Sequence, residues 1–293
     1  MAVVSVQDLL DAGVHFGHNI SRTNPKMKPY IYGKRNKISI IDLRETIKGL
    51  IRAFHVVSEV CANPDGKVLF VGTKKQAREA ILESSQKCGM PFVIDRWLGG
   101  TLTNLETIRT RIKKLRELEG INLEDPTIPK KEIARIRREL TKIRRNLQGI
   151  VDLSRLPDLM IIVDPRKEMN SVREARKCGV PIVALCDTDC DPDTVDLVVP
   201  CNDDAIRSIR LIIGYLAEAV REGQKRSLDR QIYTKPVAEQ TTTDADADTM
   251  AADAVAKAKE RRARRPAIKP AASASPDEAP AAEEADPNPP KES

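Results

Sequence analysis

The sequence predicts an α/β fold, a three-layer α/β/α doubly wound parallel sheet of the flavodoxin-like kind, and three observations carry that prediction. Its apolar runs "KVLFVG", "DLMIIVD", "PIVALCD" and "LVVPC" are continuous rather than alternating, as in strands covered on both faces. Amphipathic helical stretches separate most of them, which calls for parallel strands joined by right-handed crossovers. The one break in the alternation, residues 105–149, has a helical period of its own.

Each element follows from local chemistry. "SVQDLLDAG" opens on Ser5 as N-cap, has Asp8 three residues on and stops at Gly13, so it reads as a short helix. "VHFGHNISRTNPKMKPYIYGKRNK" is rich in Pro, Gly, Asn and Lys without periodicity and reads as a long ordered loop or arm. "ISIIDL" is then a buried strand, "RETIKGLIRAFHVVSEVCAN" a helix, "KVLFVG" a strand, "TKKQAREAILESSQKCG" a helix and "PFVID" a strand. After the insert come "DLMIIVD", a helix through "EMNSVREARKCG", "PIVALCD", "LVVPC" and a long helix from Asp203 to about Lys225.

Within the insert, Leu105, Ile108, Ile112 and Leu115 step by three and four, and Ile133, Ile136, Leu140, Ile143 and Leu147 do so again. Two such seams around the proline-bearing turn "INLEDPTIP" predict an antiparallel coiled-coil hairpin, reaching roughly 25 Å at ~1.5 Å per residue. Its other faces carry Arg109, Arg111, Lys113, Lys114 and Arg116, then Arg135, Arg137, Arg138, Lys142, Arg144 and Arg145, with few acidic neighbours. Arginines crowded in this way repel one another until a polyanion relieves them. The predicted organisation is a sheet domain from 1–104 and 150–230, a basic hairpin over 105–149, and a disordered tail over 231–293. That tail is dominated by Ala, Pro, Asp, Glu and Lys and cannot offset its own chain entropy.

The 293 residues hold 49 Lys and Arg against 43 Asp and Glu, a formal charge of +6. With an acidic tail the folded part is more basic still, which favours a nucleic acid partner. No run approaches the ~18–20 apolar residues of a bilayer span, and the N-terminus lacks a secretory pattern. Six cysteines are too sparse for a disulfide framework, so a soluble cytoplasmic chain is expected.

The enzymatic readings are thinner. Neither G-x-G-x-x-G nor G-x-x-x-x-G-K-[ST] follows "KVLFVG", so no nucleotide cradle is expected, although Lys74 and Lys75 at a helix start suit a phosphate. "ALCDTDCDPDTVD" could place Asp187 and Asp189 as the paired carboxylates of a magnesium-dependent phosphotransferase, the alternative function. The competing reading is a polar turn whose carboxylates cap backbone amides, with Asn202 or Asp203 capping the last helix. As a calcium loop the string fails, for Pro192 stands in place of the glycine. Cys178, Cys186, Cys190 and Cys201 lack zinc-knuckle spacing, and His15 and His18 have no nearby second ligand. Neither a metal nor a cofactor is expected, and no catalytic set can be assembled.

Together these motifs give the chain a resemblance to a known family. "AGVHFGH", "NPKMKPYIYGKRNKISIIDL", "LFVGTKKQA", "RWLGGTLTN", "PDLMIIVDPRKE", "GVPIVALCDTDCDPD" and "NDDAIRSI", in this order, look like the bacterial S-two family, the second protein of the small ribosomal subunit. The resemblance spans about Ser5 to Arg226. It implies a non-catalytic protein at the head–body junction of the subunit, binding 16S-type rRNA and helping to dock neighbouring proteins, among them the large first protein. The RNA contacts expected are His15 and His18; Lys26, Lys28, Tyr30, Lys34, Arg35 and Lys37 of the arm; Lys74 and Lys75; Arg96, Trp97, Thr101 and Asn104 of the glycine turn; and the hairpin cations Arg109, Arg111, Lys113, Lys114, Arg135, Arg137, Arg138, Lys142, Arg144 and Arg145. In the arm, cations alternate with Tyr30 and Tyr32, charge for phosphates and rings for stacking. Trp97, the only tryptophan, is expected either to stack on a base or sugar or to wedge against the hairpin root. Thr23 precedes Asn24 where family members often carry an aromatic, and the resemblance does not reach the tail.

Overall fold

A computed structural model describes residues 4–121 and 129–234. Most of the turn inside the insert, and nearly all of the tail expected to be disordered, lie outside the described residues.

The chain opens with helix α1 (Val6–Asp11), closed by a reciprocal capping box between Ser5 and Asp8. Strands β1 (Phe16–Asn19), β2 (Ile31–Arg35) and β3 (Ile38–Ile41) form a small antiparallel sheet in the order β1-β3-β2. The predicted arm is therefore more regular than its text suggests, holding two strands and two short 3-10 turns, Ile20–Arg22 and Pro25–Tyr30. "ISIIDL" does form a strand, but in this antiparallel sheet rather than in the parallel one. Asn36 and Lys37 link β2 to β3 with φ of +49° and +64°, the left-handed backbone of a tight hairpin turn.

Helix α2 (Leu43–Cys61), capped by Asp42, leads into the main sheet of β4 (Val68–Val71), helix α3 (Lys75–Cys88) and β5 (Phe92–Val93). The insert is helix α4 (Leu105–Glu119) and helix α5 (Lys130–Leu147). Then follow β6 (Leu159–Val163), α6 (Met169–Cys178), β7 (Ile182–Cys186), β8 (Leu197–Pro200) and α7 (Ile206–Thr234). All five strands run parallel in the order β5-β4-β6-β7-β8, so the winding direction reverses between β4 and β6.

Alternate residues of the buried strands supply two cores. Val68 and Phe70, Leu159 and Ile161, and Val183 and Leu185 meet α2, α3 and α7 on one face. Leu69 and Val71, Met160 and Ile162, and Ile182 and Ala184 meet α6, Trp97 and the base of the insert on the other. Three layers result. At about 25 cal/mol per Å² of apolar surface removed from water, this double burial is the main term holding the fold.

The insert departs from a self-contained coiled coil. Ile108 and Ile112 join the second core of the sheet domain, and on α5 only Leu147 is buried, Ile133, Ile136, Leu140 and Ile143 being half-exposed. Arg109 bonds the Ser154 carbonyl, Leu115 lies by Gln148 and Val151, and Glu119 meets Arg144 at 2.6 Å. Across these three contacts partner numbers fall as those of α4 rise, so the packing is antiparallel but displaced toward the later part of α5 and the segment after it, with Lys114 reaching back to Glu139 in the middle of α5. The hairpin is rooted in the domain because its best apolar side chains are used there.

The small sheet is pinned to the strand ends through Thr188, which accepts from the His18 amide at 3.0 Å and gives its carbonyl to the Asn24 amide at 2.8 Å. A Cβ built on Gly17 would stand 2.5 Å from Thr188 Cγ2 and 3.0 Å from the Ser39 carbonyl. Gly17→Ala should thus push the small sheet off its seat, at about 1–3 kcal/mol for overpacking, read as a Tm several degrees lower. An unchanged Tm would refute the close approach.

Candidate nucleic-acid interface

The turn Asp95–Asn104 is organised by one carboxylate. Glu174 of α6 accepts from the Trp97 indole at 3.1 Å, the Gly100 amide at 2.8 Å, the Leu102 amide at 3.1 Å and Thr103 at 3.4 Å. Burial alone would raise this carboxyl, but the bonds from Gly100, Trp97, Leu102 and Thr103 outweigh it and hold it below the ordinary carboxylate range. Gly100 supplies the turn with a φ of +88°. Thr101 is buried and bonds the Leu98 carbonyl, and Asn104 caps α4 by accepting from Thr107.

Trp97 consequently has its ring in the second core, only 8% exposed, and is not presented for stacking. Of its two expected uses, the structure places it at the wedge. Arg96, the next residue back, is exposed and stands between two basic depressions. The larger, about 1340 Å³, is lined by Arg96, Arg111, Lys114, Lys131, Arg135, Arg138 and Lys142, against Glu132 and Glu139. The smaller, about 710 Å³, shares Arg96, Arg138 and Lys142 and adds Arg137 and Arg145.

The hairpin cations divide into two groups. Lys114 pairs with Glu139, Arg144 with Glu119 and Arg145 with Asp95 at 3.1 Å, while Arg109 is spent on a carbonyl. Asp95 also takes Arg78 at 3.0 Å, tying the end of α5 to α3. Arg111, Lys113, Arg135, Arg137, Arg138 and Lys142 have no ion-pair partner among the described residues and are exposed. Relief by the chain's own carboxylates is thus partial, and the unrelieved charge concentrates around the groove.

The arm divides likewise. Lys28, Lys34, Arg35 and Lys37 are exposed, three of them at the β2–β3 tip, and Tyr32 is 76% exposed. Lys26 instead reaches Asp191 at 3.0 Å and Asp193 at 2.7 Å, and Tyr30 packs against the second core. Lys75 is exposed at the start of α3, but Lys74 is sequestered, 12% exposed and held by Asp203 at 2.7 Å, Asp204 at 2.6 Å and Asp164 at 3.6 Å. Such a lysine has no charge left for a phosphate.

His18 sits beside that cluster, with Nδ1 2.9 Å from Asp187 and Nε2 3.2 Å from Asp204. The Nδ1 contact is short but poorly aligned as a hydrogen bond. Asp187 raises the imidazole to about 9 against the opposing effect of burial, so it is held as a cation at neutral pH. Burial, then the charges of Asp164 and Asp187, push Asp203 to about 8 despite Lys74. His15 stacks on Phe16 at 4.0 Å, its pKa lowered by burial.

The acidic string does not form a catalytic pair. Asp187 is buried on His18, whereas Asp189 is tied to Arg166 at 2.6 Å. Asp191 caps its own turn, Asp196 accepts from the Ile182 amide, and Asn202, rather than capping the last helix, folds the turn before it by accepting from the Asp204 and Ala205 amides. Cys186, Cys190 and Cys201 are buried free thiols, Cys190 and Cys201 held protonated well above the usual thiol range. Sequence reasoning missed Glu174, one of many helix-face glutamates, and Lys131, whose basic "PKKE" run was a readable signal.

The family model described as Ribosomal protein S2 matches residues 9–223. The chain belongs to that family and is a structural ribosomal protein of the small subunit, taking part in translation. Among the described residues no helix is long and apolar enough to cross a membrane.

Glu174 offers a direct check on how the hairpin root is held. Glu174→Ala strands several donors at once, at ~1–3 kcal/mol for each one left unsatisfied, so the denaturation midpoint should fall sharply and the lone Trp97 should redden in fluorescence. Glu174→Gln, keeping one acceptor oxygen, should fall between. Equal midpoints for all three proteins would show that the carboxylate is not the organiser.

Proposed function

We propose that this member of the Ribosomal protein S2 family grips small-subunit rRNA at the head–body junction through the hairpin groove, with the β2–β3 tip as a second contact. The observation that carries this reading is the divided set of cations. Lys26, Lys74, Lys114, Arg144 and Arg145 are spent inside the molecule. Arg96, Arg111, Lys131, Arg135, Arg138 and Lys142 line one groove with only two carboxylates among them. Binding phosphates there releases counterions and relieves mutual repulsion, neither of which requires a particular base.

On this reading Arg96, Arg111, Lys113, Arg135, Arg137, Arg138 and Lys142 contact phosphates, as do Lys28, Lys34, Arg35, Lys37 and Lys75. Tyr32, not Trp97, is the ring free to stack. His18, Lys26, Lys74, Trp97, Thr101 and Asn104 shape the surface from behind. The acidic strand-end loops, away from the groove cations in sequence, are the proposed face toward neighbouring small-subunit proteins, including the large first protein.

Replacing Arg135, Arg137 and Arg138 together by Glu should release the protein from small subunits at lower salt. The slope of log affinity against log salt should lessen by about 0.7–0.9 for each phosphate no longer neutralised. Arg144→Gln, a cation already paired, should leave that slope unchanged. Co-sedimentation across a salt series reads both, and an unaltered profile for the triple variant would defeat the groove as the RNA grip.

A further inference from the structure

The two basic depressions beside the hairpin differ in what lies beneath their charge. The smaller, about 710 Å³, is lined by charged and polar side chains alone. The larger, about 1340 Å³, has the same kind of rim over a floor of Leu98, Pro129, Ala134, Ile143 and Leu147. Arg96, Arg138, Lys142 and Asn146 line both, so the two depressions adjoin.

The apolar floor follows from the displaced packing of the insert. Ile108 and Ile112 of α4 are drawn into the second core, and Leu115 lies by Gln148 and Val151. The seam of α5 is thereby left short of α4 partners, and Ile143 stays half-exposed. Leu98 closes the other side, held in its turn by the Thr101 amide, which bonds its carbonyl at 3.1 Å.

A phosphate gains nothing from apolar surface, whereas the face of a nucleobase does. Paired bases are stacked inside a duplex and cannot use such a floor; a base in a bulge or loop can be splayed onto it. Asn146 meets the remaining need. It is half-buried, its side-chain amide has no hydrogen-bond partner among the described residues, and it offers both a donor and an acceptor to the edge of a base.

We propose that the larger depression takes one unpaired, extruded nucleotide of the RNA, an inference that rests on the groove being the RNA grip. The base lies on Leu98, Ala134 and Ile143 with its edge bonded by Asn146, and the flanking phosphate occupies the adjoining smaller depression. Arg138 and Lys142, shared by the two, hold the backbone between them. An aliphatic floor accepts the face of any base, so the site selects an unstacked nucleotide without specifying which one.

The test measures binding of the full chain to RNA hairpins of one length that carry a single bulged nucleotide, either intact, abasic or 2-aminopurine. All three have the same phosphates. The intact bulge should bind about tenfold more tightly than the abasic one, the gain of one seated base, with the same salt slope, and 2-aminopurine should change its fluorescence on binding. Ala134→Met fills the floor from an exposed helix position without altering charge, and should bring the intact and abasic RNAs to the same affinity. Equal, salt-dependent binding of the two RNAs by the wild type, or a variant that keeps the full difference, would overturn this inference alone. Binding of neither RNA would remove the groove reading and this inference together. Displacement of the intact bulge by an acidic, leucine-bearing helical peptide, with the abasic RNA displaced no less readily, would give the floor to a protein helix instead.

Discussion

Charge at the carboxyl ends of the parallel strands is the constraint on which the rest of this molecule depends. Loops after three strands deliver aspartates to one place, where each needs a cation or a donor to remain there. Lys74 enters from the loop after β4, across the reversal point between β4 and β6, and takes three of them. In related sheet architectures that crevice receives a nucleotide, whose phosphates rest on glycine-rich backbone. Here a lysine side chain and its carboxylates occupy it, and the surplus negative charge would repel a phosphate. The same cluster holds His18, and with it the small sheet whose β2–β3 tip is exposed. Closing the crevice and seating the arm are therefore one interaction.

A second carboxylate does for the insert what that cluster does for the arm. Glu174 gathers the indole and amides of a turn that has no regular structure of its own, and so sets where α4 begins. Asp95 fixes the other strand of the hairpin by taking both Arg78 and Arg145. Paired charges of this kind contribute little where water screens them, but at a partly buried root they define direction. Cations used in these joints are subtracted from the binding surface, and those that remain are concentrated on the groove.

Much of the sheet was legible because parallel strands buried on both faces are written as uninterrupted apolar text. "LMIIV" and "IVALC" allow few other readings. The small sheet was not legible, since its strands are short and half-exposed, and Lys37 occupies a left-handed position where glycine would have announced the hairpin. The seams of the insert were visible, yet their displaced register depends on Ile108 and Ile112 finding a better core in the domain, a contact that no local spacing encodes. Residue type alone likewise could not separate Lys74 from Lys75. Adjacent in sequence, one is consumed by three aspartates contributed from distant strand ends, and the other points outward. Trp97 is ambiguous in sequence for the same reason, because its acceptor lies on α6, a helix far along the chain.

The surface that remains constrains how RNA can be recognised. Tyr32 and Phe16 are the only aromatic side chains among the exposed large hydrophobics of the described residues, so on the proposed reading stacking on an aromatic ring would fall to the arm. On the proposed reading, guanidinium and ammonium groups lining the groove would read phosphate positions, which depend on how the RNA is folded more than on its sequence. Such recognition discriminates only if the spacing between its charges is stiff, since loose cations would adapt to any polyanion. Stiffness here comes from Glu174, Asp95 and the strand-end cluster, each fastening an otherwise irregular segment to the same parallel sheet. On the proposed reading, carboxylates that fasten the scaffold are thus what would turn general electrostatic attraction into selection of a shape.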